Sequence, residues 1–335
     1  MDEYTPATPQ ERLRAILRKP RRTWVNVLLF VFTFITTTYA GMEWITGTFG
    51  PYDIASLANA LPYSLSIIFI LGAHEFGHYF AARAHKVDAT LPFFIPFPPL
   101  PGFLNFGTMG AVIKTRSVTP NNKALLDIGM AGPLAGFVAS LIVLIYGFTH
   151  LPDVSYILNI HPDYYSASYP GEGTASLEMG GTLLYNLLQY LFTNPSAEFV
   201  PPMSEMYHYP YLLTGWFGLF VTAMNMIPVG QLDGGHIIFG MFGEKVHNVV
   251  SHLALLALAV FGIAGILDAY AGTNLGFGWA GWFLWGVILV FVIKPKHPPV
   301  PEMVRVGTIR MILGIITIII LFLSFAPNPF VIYML

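Results

Sequence analysis

His74, Glu75 and His78 stand together in the stretch HEFGH, residues 74–78. On a helix, residues four apart share one face with their Cβ atoms ~5–6 Å apart. Two imidazoles so placed can share one zinc ion at ~2.0–2.1 Å. Glu75, one residue on from His74, is positioned to act on an attacking water rather than on the metal. Helical H-E-x-x-H is the recurring arrangement of zinc hydrolases, with two ligands and one general base. The bland alternative, a histidine hydrogen-bonded to a neighbouring helix, suits His252 but leaves the three residues together unexplained.

A catalytic zinc needs a third protein ligand and an open position. The best candidate is Asp233 in NMIPVGQLDGGH, residues 225–236, flanked by Gly230, Gly234 and Gly235 after an apolar run broken by Pro228. Non-helical backbone at membrane depth is tolerated where protein buries it or where it lines a wet cavity. The break therefore lets Asp233 turn inward toward another helix. The competing reading is a solvated aspartate in an exposed turn. Glu244 is the other nearby carboxylate, the one an unrelated H-E-x-x-H membrane protease would need.

The elements that must position these groups are membrane helices. The chain has 335 residues, 55% hydrophobic and 10% charged, with a mean hydropathy of +0.62; soluble domains carry about 25% charged residues. A net charge of −2 gives no footprint for nucleic acid. With no cysteine, any metal must be held by His, Asp or Glu. The opening, MDEYTPATPQERLRAILRKPRR, is charged before any apolar run and reads as a cytosolic basic arm over 1–23 rather than a signal peptide. Apolar stretches follow at 24–46, 58–84, 124–148, 246–267, 277–293 and 306–325, with a seventh at 209–227 and a short piece at 236–242. Each long stretch is near the ~20 residues that cross a bilayer. The expected fold is an all-α polytopic membrane protein of six to seven transmembrane helices. A small membrane-edge β-region and a Pro-rich re-entrant segment complete it. One membrane-embedded unit spans 24–325, with its core at 58–245, and 326–335 is a tail.

If the amino terminus is cytosolic and each stretch crosses once, all 16 Lys and Arg fall on the cytosolic side. The opposite segments, 149–208 and 268–276, contain none, which is a strong positive-inside bias. Seven crossings place the carboxyl terminus outside. His74, His78 and Asp233 all lie near the cytosolic ends of descending segments, so they meet at one depth. Between them, LNFGTMGAVIKTRS (104–117), with Gly107 and Gly110, suits a strand or hairpin at the membrane edge. An unpaired strand edge there could hold an extended peptide. LPFFIPFPPLPGF (91–103), with five prolines and four phenylalanines, forbids a normal helix and reads as a re-entrant or interfacial loop.

HEFGH, AGPLAG (131–136) and NMIPVGQLDGGH together resemble the site-2 protease family of intramembrane zinc metalloproteases, in its members without a PDZ domain. The resemblance covers roughly 58–245. It implies one zinc per chain bound by His74, His78 and Asp233, with Glu75 as catalytic base. It also implies a substrate or oxyanion role for Asn225, and a substrate-binding β-region containing Gly107 and Gly110. The implied partner is a transmembrane protein substrate in a lipid bilayer, cut from the cytosolic side of the cell membrane. The rivals are a transporter, for which no repeated halves are visible, and an inactive zinc-binding scaffold, for which an intact Glu75 is unneeded. Gly132, Pro133 and Gly136 read as helix-packing residues, and Asp127 as a hydrogen-bond partner of a metal ligand or an interfacial carboxylate. His236 is either a substrate or Asp233 contact or a helix start. His150, His161 and His208 lie on the outer side, where an independent metal site is the less favoured reading.

Overall fold

A segment in lipid must satisfy its own backbone polar groups, and the apolar runs do so as helices. The computed structural model describes residues 23–98, 100, 104–166, 169–171 and 175–334. The basic arm expected over 1–23 lies outside them save for Thr23. The helices are α1 (Thr23–Thr46), α2 (Leu61–Ala84), α3 (Asn122–Thr149), α4 (Ser155–Ile160), α5 (Leu183–Phe192), α6 (Pro210–Met226), α7 (Asp233–Ala271), α8 (Ala280–Ile288) and α9 (Thr308–Ser324). A short helix, Ile54–Leu57, and a 3-10 turn lead into α2, and α8 continues as a π-helix over Leu289–Ile293. Among the described residues, four stretches are long and apolar enough to cross a membrane: Thr23–Thr46, Ile54–Ala84, Asn122–Thr149 and Asp233–Ala271. They leave large apolar side chains such as Phe32, Leu65, Ile142 and Leu256 exposed, which water would penalise and lipid does not.

α7 is two helices joined at a kink. Gly243, at φ 77° and ψ −177°, breaks it into a short arm carrying Asp233 and a long arm to Ala271. The sequence separates these arms in the same place, as 236–242 and 246–267. The short arm runs antiparallel along the first turns of α3. A Cβ on Gly129 would lie 2.8 Å from the Cβ of His236, and one on Gly240 would lie 2.8 Å from that of Leu126. Asn122 locks the contact by donating from Nδ2 to the Gly240 carbonyl at 3.0 Å.

Helices in lipid gain little from burying apolar surface against one another, so close packing through small residues decides where they meet. α2 and α3 follow that rule: a Cβ on Gly77 would sit 2.4 Å from the Ala131 carbonyl oxygen. Around this pair, Tyr63, Ile67, Leu144, Phe148, Trp216, Phe220 and Trp282 form the main buried cluster.

Among the described residues, two antiparallel strand pairs complete the fold. β1 (Phe93–Pro96) pairs with β2 (Thr108–Val112), and β3 (Ala175–Met179) with β4 (Phe330–Met334). A strand expected within 104–117 is therefore present as β2. Its partner corrects part of the reading of 91–103 as a re-entrant or interfacial loop: Phe93–Pro96 is a strand, with Phe94 packed edge-on to Phe30 of α1. Proline lacks only its own N–H, so prolines at the ends of a two-residue-period strand on a sheet edge are tolerated. Residues 99 and 101–103 lie outside the described residues. Within the stretch expected as a tail, 326–335, Phe330–Met334 pairs with β3 in the segment between α4 and α5.

Candidate metal centre

α2 begins with Pro62 in its first turn and runs unbroken through His74, Glu75 and His78, all buried. The two imidazoles project from consecutive turns with their Nε2 atoms 3.1 Å apart. His78 donates from Nδ1 to the Ile128 carbonyl of α3 at 2.7 Å, which fixes its tautomer and turns the Nε2 lone pair to the centre. Asp233 opens α7, directly after the turn that follows α6. Its Oδ2 lies 3.3 Å from Nε2 of His74 and 3.3 Å from Nε2 of His78.

These distances test whether a metal fits. Ligand atoms ~2.05 Å from a tetrahedral ion lie about 3.3 Å from one another. Three atoms 3.1–3.3 Å apart meet that requirement and leave a fourth direction open. Two nitrogens and one carboxylate oxygen suit zinc. Glu75 stands beside this group, and α2, which carries it, packs against β2. The sheet and the helical site are therefore in direct contact.

The glycines of AGPLAG do more than pack helices. A Cβ on Gly132 would come within 2.1 Å of Nε2 of His78, and one on Gly136 within 3.0 Å of the Cβ of His74. The two rings occupy the space that side chains at these positions would take. Gly234 and Gly235 serve the turn in the same way, with ideal Cβ positions 1.9 Å from the Met226 carbonyl oxygen and 2.3 Å from that of Gly230. Gly230 itself has φ +56°, where a side chain is strained.

Other expected site residues fall elsewhere. Gly107, at φ +76°, is pressed on α1: a Cβ there would lie 2.4 Å from Cα of Thr37, and its carbonyl accepts from Thr36 Oγ1 at 2.6 Å. It docks the hairpin rather than facing a ligand. Gly110, at φ +97°, has open space where a Cβ would stand. Asn225 is half-buried near the end of α6. Asp127 accepts from Arg310 Nε at 2.8 Å and pairs with Nε2 of His85 at 2.8 Å, rather than with a candidate ligand. Glu244 follows the Gly243 kink, whereas Asp233 Oδ2 is the carboxylate oxygen grouped with the two imidazoles.

His297 was not foreseen. It lies between α8 and α9, its Nε2 is 2.7 Å from Nδ1 of His236, and its ring stacks on Phe239. Burial holds its pKa down, to about 4. KPKHPP has no periodicity that would point to it. On the far side of the molecule, burial likewise holds His208 down to about 4 and lowers His161, while raising Glu205. His150 stands apart from them, stacked on Tyr146.

With this geometry in hand, comparisons with known proteins are specific. The profile of peptidase family M50 matches residues 62–267, a span holding all three candidate ligands and Glu75. A protein named as probable zinc metalloprotease EGY1, chloroplastic, of Oryza sativa subsp. japonica is 32% identical over 275 residues, covering 80% of this chain and 41% of that protein. Its namesake in Arabidopsis thaliana is 30% identical over 268 residues, covering 80% and 43%. Probable zinc metalloprotease EGY2, chloroplastic, of Oryza sativa subsp. indica is 29% identical over 262 residues, covering 78% and 41%. The chain thus spans about two fifths of the length of these curated relatives. No solved structure matches it. Between HEFGH and LDGG, the described residues form no separate soluble domain of the PDZ kind.

Proposed function

The chain belongs to peptidase family M50, the site-2 protease family of zinc metalloendopeptidases, and from that premise we propose that it cuts transmembrane segments of other proteins within the bilayer. The observation that carries this reading is the meeting of His74, His78 and Asp233 beside Glu75 on membrane helices. In this reading the first three hold zinc and Glu75 is the general base. A bound zinc ion would supply Lewis acidity, activating water and polarising the scissile carbonyl. Glu75 takes the proton of the attacking water and returns it to the leaving amine, a role worth roughly 10²–10⁴-fold in rate. His78 is held in its ligating tautomer by Ile128, so the geometry costs no reorganisation at the moment of reaction.

A helical substrate shields its own carbonyls and must be held extended to be cut. The free edge of β2, running toward Ile113 and Glu75, is our candidate for that hold, with Gly110 giving room for a peptide backbone. Gly107 leaves this role, since α1 fills its space. We assign Asn225 to substrate orientation on the family resemblance alone. An apolar cleft of about 550 Å³ between α1 and α2, lined by Phe30, Phe69, Phe76 and Phe94, offers a lipid-level approach.

The topology we favour has seven crossings. α6 has only 17 residues and ends near the depth of Asp233, so the short arm of α7 completes its crossing. The long arm, α8 with its π-helical end, and α9 supply the other three beyond the first three long helices. This arrangement puts the metal centre toward the end bearing Arg83, Lys86, Lys123, Lys245 and Lys294, read as cytosolic by the positive-inside rule. It puts β4 on the opposite side, where its partner β3 lies. We read the location as a cell membrane and residues 24–325 as one protease unit.

The test is cleavage of a model transmembrane substrate by the purified chain, with the product ends mapped by mass spectrometry. A cut inside the hydrophobic segment by wild type, lost in Glu75→Gln, is the expected result. Cuts confined to the substrate's soluble flanks would refute the intramembrane reading.

A further inference from the structure

At the end of α6 remote from Asp233, a second group of ligand-type side chains converges. α6 separates the two groups by 17 residues, about 25 Å of helix at 1.5 Å per residue. His161 caps the C-terminus of α4, and Glu205 and His208 sit three residues apart in the turn before α6. Their facing atoms are close. Nε2 of His161 and Nε2 of His208 are 3.0 Å apart, and Oε2 of Glu205 lies 3.8 Å from the first and 3.5 Å from the second.

Hydrogen bonding within the protein does not account for this arrangement. His208 is fully buried and donates from Nδ1 to the Ile45 carbonyl of α1 at 2.8 Å, so its Nε2 presents a lone pair. Glu205 is 4% exposed; its Oε1 accepts from the Tyr169 hydroxyl at 2.9 Å, but its buried Oε2 has no hydrogen-bond partner among the described residues. One proton on Nε2 of His161 can serve the His208 nitrogen or the carboxylate oxygen, not both. An unpaired buried acceptor keeps its desolvation penalty uncompensated. A cation shared by all three removes the deficit. Corners with these separations lie about 2.0 Å from a common centre, the length of a Zn–N or Zn–O bond.

We propose that His161, Glu205 and His208 form a second divalent-cation site of the zinc type, separate from the candidate active centre. The supporting contacts have the form seen around metal sites, with a ligating histidine donating its other N–H to a backbone carbonyl and a ligating carboxylate hydrogen-bonded on its free oxygen. Tyr156 adds a further restraint by donating to the His208 carbonyl at 2.7 Å. An ion here ties α4, the turn before α6 and the end of α1 into one unit on the outer side. It therefore orders the segment that meets whatever part of a substrate lies beyond the bilayer. The proposal rests on this geometry and does not depend on the protease reading.

The test uses the full chain in detergent, stripped with chelator, reloaded with zinc alone, desalted and assayed for zinc per chain by mass spectrometry. The variants are Asp233→Ala, His161→Gln, Glu205→Gln and the Asp233→Ala/His161→Gln pair. His161 is half-exposed, so its variant remains informative if Glu205→Gln does not fold. The expected result is two zinc ions in wild type, one in each single variant and none in the pair. Zinc should also raise the melting temperature of Asp233→Ala but not of the pair. One ion in wild type, lost in Asp233→Ala and kept in His161→Gln, would overturn the proposal while leaving the protease reading intact. One ion lost in His161→Gln and kept in Asp233→Ala would sustain the second site and overturn the first. Wild-type stoichiometry in His161→Gln, at whatever value, would overturn the proposal.

Discussion

The two His-His-carboxylate groups are alike in chemistry and opposite in construction. At the inner group, both histidines stand on consecutive turns of one helix, and only Asp233 comes from elsewhere. At the outer group no two ligands share a regular helix, and two elements meet through a 3-10 turn. The inner group has a second carboxylate, Glu75, free of ligand duty. The outer group has Tyr169 in that neighbourhood, bound to Glu205 itself. A hydrolase needs an ion, an open direction and a base within reach of water, and of the two groups only the inner one has a further carboxylate, Glu75, beside it to serve as that base. The difference teaches that the donor set alone does not make an active centre. What makes one is the base carried at a fixed helical offset from the ligands.

The comparison breaks most sharply at Gly132. A methyl there would sit 2.1 Å from Nε2 of His78, so Gly132→Ala should displace the ring. Zinc affinity and cleavage at the inner group should fall at least 10–100-fold, the range for disturbing a ligand's support. The outer group should keep its zinc, as read by zinc per chain. Gly136→Ala meets only a 3.0 Å contact at the Cβ of His74 and should cost less, about tenfold in cleavage.

Acid should separate the groups next. His208 has a folded pKa of about 4, below the ordinary 6.5, so the unfolded chain binds more protons between those values. Its contribution to stability is present above pH 6.5 and is lost as pH falls toward 4. Glu205 is raised by burial, so acidification acts on it in the opposite sense. The melting temperature of the metal-stripped chain should fall between pH 6.5 and 4.5. The fall should be smaller in His208→Gln and steeper in Glu205→Gln.

The smallest effect should come from Asp127, which directly precedes Ile128, the residue whose carbonyl holds His78, but is bound to Arg310 and His85. Asp127→Asn should cost about 1 kcal/mol of stability, the upper range for a partly exposed ion pair. Zinc content and cleavage should be unchanged. A lost inner zinc ion would return Asp127 to the support of the metal centre.

The legibility of each feature in the sequence follows from how local its cause is. His74, Glu75 and His78 announce themselves because helical geometry fixes their relation within five residues. Asp233 was legible as a candidate because Pro228 and three glycines mark a break in an apolar run. Gly132 and Gly136 could be read as small but not as the seats of two imidazole rings, since that depends on which helix lies opposite. β1 was hidden because prolines at strand ends look like a loop. β4 was hidden because its partner lies about 150 residues earlier, and no local pattern encodes such pairing. The outer cluster was visible only as scattered histidines. Glu205, which completes it, has no spacing relation to His161, and His150, which looked equivalent to the others, stacks on Tyr146 instead.

The central claim is that the inner group holds zinc for a reaction in which Glu75 moves the proton. Its most direct test is zinc content and cleavage measured on one preparation of Glu75→Gln beside wild type. The account predicts equal zinc per chain in both, with cleavage of the transmembrane substrate reduced by 10²-fold or more in the variant. Cleavage near the wild-type rate with zinc retained would contradict it, because the proton would then be carried by another group.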